Sequence, residues 1–304
     1  MLSWLSDPNF QWVLMGTIVL GITSGVIGCF AVLKKQSLVS DAVAHAALPG
    51  VCIAFIIIQE KQLIYLLIGA VISGLIATYL IQLIVEHSKI KEDTSIGIVL
   101  SVFFGVGVVL LTYIANRVGG NQSGLNQFIF GQAASLTMSD VWTILTVSIV
   151  MLFITILFYK EFKLIIFDPK FAISIGFSYN KINYLMMFLI VSTIVIGIQT
   201  VGVVLMTAMM IIPPVAARFW TERLITMLIL AGLFGGISSM IGAFISTLAL
   251  RIPTGPVIVL VEAVIFILSF LFAPKRGIVS KALLQWRMKR KHQLVLEKVK
   301  VITK

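Results

Sequence analysis

Read for hydropathy alone, the chain divides into nine apolar runs separated by short polar breaks: roughly 11–33, 37–58, 63–85, 94–114, 140–159, 183–199, 201–217, 224–249 and 256–273. Most reach the ~20 residues that an α-helix needs to cross the hydrocarbon core of a bilayer. Barrel strands would instead alternate apolar and polar positions in segments of about ten residues. The pattern therefore predicts an all-α polytopic membrane protein with about nine (8–9) transmembrane helices. The runs 183–199 and 201–217 lie so close together that they also read as one broken or re-entrant element. Pro213 and Pro214 predict a break or kink near residues 209–213, because proline removes a helical donor and clashes with the preceding turn.

Composition agrees with this pattern. Only 12% of the 304 residues are charged and 59% are hydrophobic, whereas a soluble domain is about 25% charged. No secretory signal is expected, since the first ten residues carry no Lys or Arg and the first apolar run is long enough to span. Cys29 and Cys52 both fall in apolar runs, so a disulfide framework is not expected.

The net charge of +11 would point to nucleic acid in a soluble protein. Here the positive-inside rule accounts for it. With nine spans and Lys34–Lys35 inside, the N-terminus is outside and the C-terminus cytoplasmic. The inner loops then hold Lys34, Lys35, Lys89, Lys91, Lys160, Lys163, Lys170, Lys181, Arg218 and Arg223, and the tail from Lys275 holds ten more. The outer side holds only Lys61, Arg117 and Arg251. The expected organisation is a transmembrane domain over 1–278 and a basic cytoplasmic tail over 279–304, suited to the anionic inner leaflet.

Against this background a few polar positions stand out. Of the acidic residues, only Asp41 and Glu262 fall well inside apolar runs, and of the histidines only His45 does. Asp41 and His45 are four residues apart and share a helix face. If that helix starts near Ser37, His45 lies roughly 12 Å along it at 1.5 Å per residue, close to mid-membrane. Pro49 should leave the His45 carbonyl without its helical donor. Three readings follow: a hydrogen-bonded pair that locks helix packing, ligation of Mn²⁺, Fe²⁺ or Zn²⁺, and a proton relay. Two ligands make an incomplete site, which a two-fold homodimer would double. Glu262 is read first as capping a polar helix interface.

Two further stretches matter. Met206, Met209 and Met210 precede Pro213 and Pro214; they read as adaptable apolar packing, with a gate or helix break as the alternative. In the longest inner loop, Asp168 followed by Pro169 is a helix start and Gly176 a helix stop. That predicts a helix of about two turns, either an interfacial connector or a docking element. No Gly-Lys dipeptide exists in the chain, so a Walker A loop is excluded and any ATP must be bound by another chain.

The segment Ser37-Leu-Val-Ser-Asp41-Ala-Val-Ala-His45-Ala-Ala-Leu-Pro49-Gly50 closely resembles the signature of the bacterial manganese/zinc/iron ABC permeases. Asp168-Pro169-Lys-Phe171-Ala172-Ile-Ser-Ile-Gly176 resembles their coupling-helix segment. Thr254-Gly255-Pro256 and Leu-Phe-Ala-Pro274-Lys-Arg-Gly277 are similar to theirs as well. The resemblance covers about residues 10–278 and implies a type II-like fold related to the vitamin-B12 permeases, working as a dimer. It implies two cytoplasmic ABC ATPase subunits and an extracellular metal-binding lipoprotein as partners, with no permanently bound cofactor. It also implies that Asp41 and His45 line the path of the metal, and that Asp168 to Gly176 meet the ATPase. Leu48-Pro49-Gly50 looks closer to manganese-type members than to zinc-type ones.

Overall fold

The computed structural model describes residues 8–59, 63–117, 137–248 and 253–280. The loop 118–136 and the tail from 281 lie outside them. Every regular element among the described residues is α-helical: α1 (Pro8–Leu33), α2 (Ser37–Ile58), α3 (Leu63–His87), α4 (Glu92–Arg117), α5 (Met138–Leu157), α6 (Tyr159–Phe167), α7 (Pro169–Ser174), α8 (Tyr179–Val201), α9 (Val203–Trp220), α10 (Leu224–Leu248) and α11 (Thr254–Phe272).

Eight of these are long and apolar enough to cross a membrane, and α9 contains a shorter apolar helix, Leu205–Trp220. That helix still runs between the two ends of the bundle. Near its start, Gly255 at the head of α11 packs against the Val201 carbonyl and the Leu205 side chain. Beyond its end, Glu222 pairs with Lys275 at 4.0 Å and Arg276 at 3.8 Å, just past the end of α11. Eighteen residues at 1.5 Å each span about 27 Å, against a core of about 30 Å. The runs 183–199 and 201–217 are thus two helices, separated at Gly202, whose φ of +86° only glycine adopts freely.

Of the expected break or kink near 209–213, the break does not occur: α9 is helical through Pro213 and Pro214. The donors that these prolines lack would have reached the carbonyls of Met209 and Met210. Gly28 of α1 closes directly on the Met210 carbonyl and the Pro214 ring, so packing from α1 supports the segment where the ladder is interrupted.

The tightest seam joins α1 to α10. A Cβ at Gly21 would overlap the Gly235 carbonyl oxygen, and one at Gly235 would overlap that of Gly21. Gly25 meets Ala231 in the same way, and Cys29 Sγ donates to the Met227 carbonyl at 3.8 Å. Small residues are what let helix backbones approach this closely in lipid. The pairing is antiparallel, so Lys34, Glu222 and Lys275 share one end of the bundle. Gly235→Ala is expected to force the two backbones apart at an overpacking cost of about 1–3 kcal/mol, visible as a lower unfolding temperature of the detergent-solubilised protein. Unchanged thermal stability would show that the seam is slack.

One element was not expected from sequence. After α5 the chain makes a separate amphipathic helix, α6, whose Phe162 is fully buried. Its ring meets Phe30 of α1 edge-on at 5.4 Å and Phe158 at 6.2 Å. Cys29 and Cys52 are buried free thiols.

Candidate metal path and docking helix

The helix α2 is wedged between α3 and α4, and its small residues make that possible. Ala42, Ala44, Ala46 and Ala47 are buried, and Gly50 lies against the Gly69 carbonyl of α3. Pro49 sits inside the helix without ending it. Its missing donor should orphan the His45 carbonyl; a polar contact appears one residue on, where Ser73 Oγ of α3 donates to the Ala46 carbonyl at 2.6 Å.

Asp41 and His45 lie on the one stripe of α2 that its neighbours leave open. Their side chains are 45% and 26% exposed, in line with the exposed Leu38 one turn earlier. His45 Nε2 and Asp41 Oδ1 are 3.8 Å apart, too far for a hydrogen bond. The packing lock of the sequence reading therefore lacks its bond. Two donors each about 2.1 Å from one ion can be at most about 4.2 Å apart, so the observed separation fits a shared cation. The His45 ring also meets Phe104 of α4 edge-on at 5.1 Å. Phe104 of α4, which meets His45, is itself exposed.

Among the described residues no group of three or more His, Cys, Asp or Glu side chains could hold a metal. Glu262 accordingly does not join the pair. It is 1% exposed within α11 and faces α10, where Ser238 Oγ lies 3.4 Å from its Oε1. Ser238 has a single proton and a closer acceptor, the Phe234 carbonyl at 2.7 Å. A polar helix-helix contact is what the structure offers at Glu262, with no basic residue in α1, α10 or α11 to neutralise it. Glu262→Gln keeps the shape and hydrogen-bonding capacity, and is expected to change stability by less than about 1 kcal/mol. Glu262→Ala leaves a void and strips Ser238 of a neighbour, and is expected to cost about 1–3 kcal/mol. Equal unfolding temperatures for the two variants would contradict this.

Met206, Met209 and Met210 are all fully buried, and the Met206 thioether fills the space opposite Gly197 of α8. In this conformation they are core packing between α9 and its neighbours, with no exposed sulfur to meet a passing ion.

The loop after α6 forms as its residues predict. Asp168 caps α7, its Oδ1 accepting from the Phe171 backbone N–H at 3.0 Å, and Pro169 opens the helix. The helix is six residues long, and Gly176 with φ +88° follows its end. Phe171, Ile173 and Ile175 are about half exposed, as are Phe167 and Phe177 on either side. Ala172 is different: it is fully buried and anchors α7 to its own chain. These exposed apolar side chains are accessible to a partner surface.

Comparison with known proteins places this architecture. Residues 6–273 match the ABC 3 transport family. The chain is 52% identical over 287 residues to the manganese transport system membrane protein MntC of Bacillus subtilis, covering 94% of this chain and 66% of that protein. It is 43% identical to the zinc transport system membrane protein TroC of Treponema pallidum, covering 94% and 95% of the two chains. The solved structure of PsaBC from Streptococcus pneumoniae in complex with Fab superposes with a TM-score of 0.80 at 34% identity, over 90% of this chain and 96% of that one. With its all-helical bundle and a family match that spans nearly the whole of it, the chain belongs to the ABC 3 transport family, as a membrane permease subunit of the bacterial plasma membrane.

Proposed function

We propose that this chain is the permease of an ATP-driven importer of divalent transition-metal ions, with Mn²⁺ as the cargo and Zn²⁺ or Fe²⁺ as alternatives. The observation that carries the reading is the Asp41–His45 pair, partly exposed in the first half of α2 on the stripe that its neighbours leave open. Polar groups facing lipid at that depth are costly, so a second protein surface covers them. A second copy of this chain, related by a two-fold axis along α2 and α4, brings two carboxylates and two imidazoles together. Such a mixed oxygen and nitrogen set suits Mn²⁺, Fe²⁺ and Zn²⁺. One manganese-named and one zinc-named relative support the class of cargo.

Orientation follows the charges. The end that carries Lys34, Lys35, Lys275 and Arg276 faces the cytoplasm, which puts the N-terminus outside and the C-terminus inside. The Gln36–Glu92 hydrogen bond of 3.0 Å brings the α3–α4 loop, with Lys89 and Lys91, to the same end. Two cytoplasmic ATPase subunits dock on Asp168, Pro169, Phe171 and the residues up to Gly176, one per protomer. An extracellular metal-binding lipoprotein delivers the ion to the opposite mouth. Residues 1–278 form the transport domain, and the basic tail lies at the inner leaflet. ATP binding and hydrolysis in the partner rock the helices so that Asp41 and His45 face first one side, then the other; the permease itself breaks no bond.

The test is Mn²⁺ uptake into proteoliposomes holding this chain with its ATPase. Uptake that requires ATP and survives collapse of the proton gradient supports the reading. Uptake that ignores ATP and stops with the gradient identifies a proton-coupled carrier instead.

A further inference from the structure

The docking helix α7 hangs between two arms, α6 before it and α8 after it. Both arms take hold of the same small piece of the protein, the end of α1. From the α6 side, Phe162 is buried against Phe30. From the α8 side, the Asn183 side-chain oxygen accepts a hydrogen bond from Lys34 Nζ, and Asn183 itself is only 7% exposed. Phe30 and Lys34 are one turn apart, and the Lys34 backbone N–H bonds the Phe30 carbonyl at 3.0 Å.

The chain then turns within three residues. Lys35 takes a left-handed conformation with φ +62°, and Gln36 N–H returns to the Ala31 carbonyl at 2.9 Å. At Ser37 the helix α2 begins, four residues before Asp41. The same turn is held from a third direction, by Gln36 Nε2 donating to Glu92 Oε1 at the head of α4. That is the helix whose Phe104 touches His45. Lys34 is mostly buried for a lysine: burial pushes its ammonium down to about 8, and the Glu92 carboxylate pulls the other way. Removing this ammonium removes the donor to Asn183.

We infer that Lys34 is a positioning residue for transport: bonded to Asn183, it ties the arm behind the docking helix to the turn that launches α2, so that movement of the docking helix reaches Asp41 and His45. The inference rests on the proposed function, with α7 as the ATPase-docking helix and Asp41 and His45 as the cargo ligands. It adds the element between them. A short turn gripped from three helices moves as a unit, whereas a flexible loop would absorb the displacement. Coupling claims of this kind need a measured coupling, which a pair of substitutions supplies.

The experiment uses the complete complex of permease dimer, ATPase and binding protein in proteoliposomes, with Mn²⁺ as the probe. Mn²⁺ uptake and phosphate release are measured together to give ions moved per ATP. Lys34→Met keeps most of the stem but not the ammonium. It is expected to leave ATP hydrolysis within about twofold and to lower the ion-to-ATP ratio about tenfold, the ratio given by loss of one charge-assisted hydrogen bond. Asn183→Leu is expected to do the same, and the double variant no worse than either. Asn183→Asp, which can still accept from Lys34, is expected to retain the ratio, and it is the informative variant if Lys34→Met fails to assemble. A wild-type ratio in Lys34→Met, additive losses in the double variant, or a loss in Asn183→Asp equal to that of Asn183→Leu overturns the inference while the importer reading stands. Absence of ATP-driven uptake in the unsubstituted complex overturns both.

Discussion

Asp41→Asn is expected to reduce metal uptake by at least about a hundredfold without reducing the amount of folded permease in the membrane. The size follows from symmetry. In the proposed homodimer each substitution removes two proposed ligands, and disturbing only the outer partners of a metal ligand already costs about 10–100-fold in affinity or activity. Asparagine keeps the volume and one oxygen but loses the charge that attracts a divalent ion. The fold should tolerate the change, because Asp41 makes no hydrogen bond to His45 and its side chain is 45% exposed. His45→Ala should have the same effect on uptake by removing the nitrogen donor, and a slightly larger effect on stability through lost contact with Phe104. Uptake is read with radioactive Mn²⁺ in cells and folded protein by size-exclusion profile. Uptake within a few-fold of wild type, at equal expression, would rule out the ligand assignment. An isolated protomer should bind Mn²⁺ far more weakly than the proposed dimer, in which it would supply only half of the donors.

The second large effect is expected at the docking helix. Replacing both Phe171 and Ile173 by Asp should weaken association with the ATPase by at least about a hundredfold and stop ATP-driven uptake. Fully burying a side chain of this size contributes about 1.5–3 kcal/mol; each is already about half buried in the permease, so losing the two removes roughly 1.5–3 kcal/mol, to which the cost of burying the new carboxylates is added. Both side chains are about half exposed, so the permease itself should keep its unfolding temperature. Ala172→Asp serves as the contrast. Ala172 is fully buried, and a carboxylate there should disrupt the anchoring of α7 within its own chain. Co-purification with the ATPase, together with a thermal melt, separates the two outcomes. Undiminished co-purification of the Phe171/Ile173 double variant would place the docking surface elsewhere.

Much of this was legible before any coordinates, and the particular residues show why. A stretch of some twenty apolar residues has one economical state in a bilayer, because every backbone polar group must be satisfied within the segment. The helices therefore follow from hydropathy, including eight long spans. Asp168, Pro169 and Gly176 act within a few residues of chain, through a cap, a fixed φ and a left-handed stop, so local rules place α7 correctly. The spacing of Asp41 and His45 is likewise local, set by 3.6 residues per turn.

What depended on packing was not legible. Pro213 and Pro214 read as a break, yet the helix passes through them because Gly28 of α1 brings its backbone against the freed Met210 carbonyl. The break at Gly202, by contrast, was legible as the boundary between the apolar runs 183–199 and 201–217. Met206, Met209 and Met210 read from sequence only as apolar residues of one segment; that all three are buried follows from the neighbouring helices. The sequence alone determined that the chain spans the membrane and that it carries an acid and an imidazole on one helix face. The tertiary structure alone decided that this face stays open while Glu262 is sealed against Ser238, and that Phe162 and Asn183 converge on the turn before α2. Hydropathy and helical period act along a few neighbouring residues, whereas exposure and convergence depend on which distant helices pack together, and that information belongs to the whole bundle.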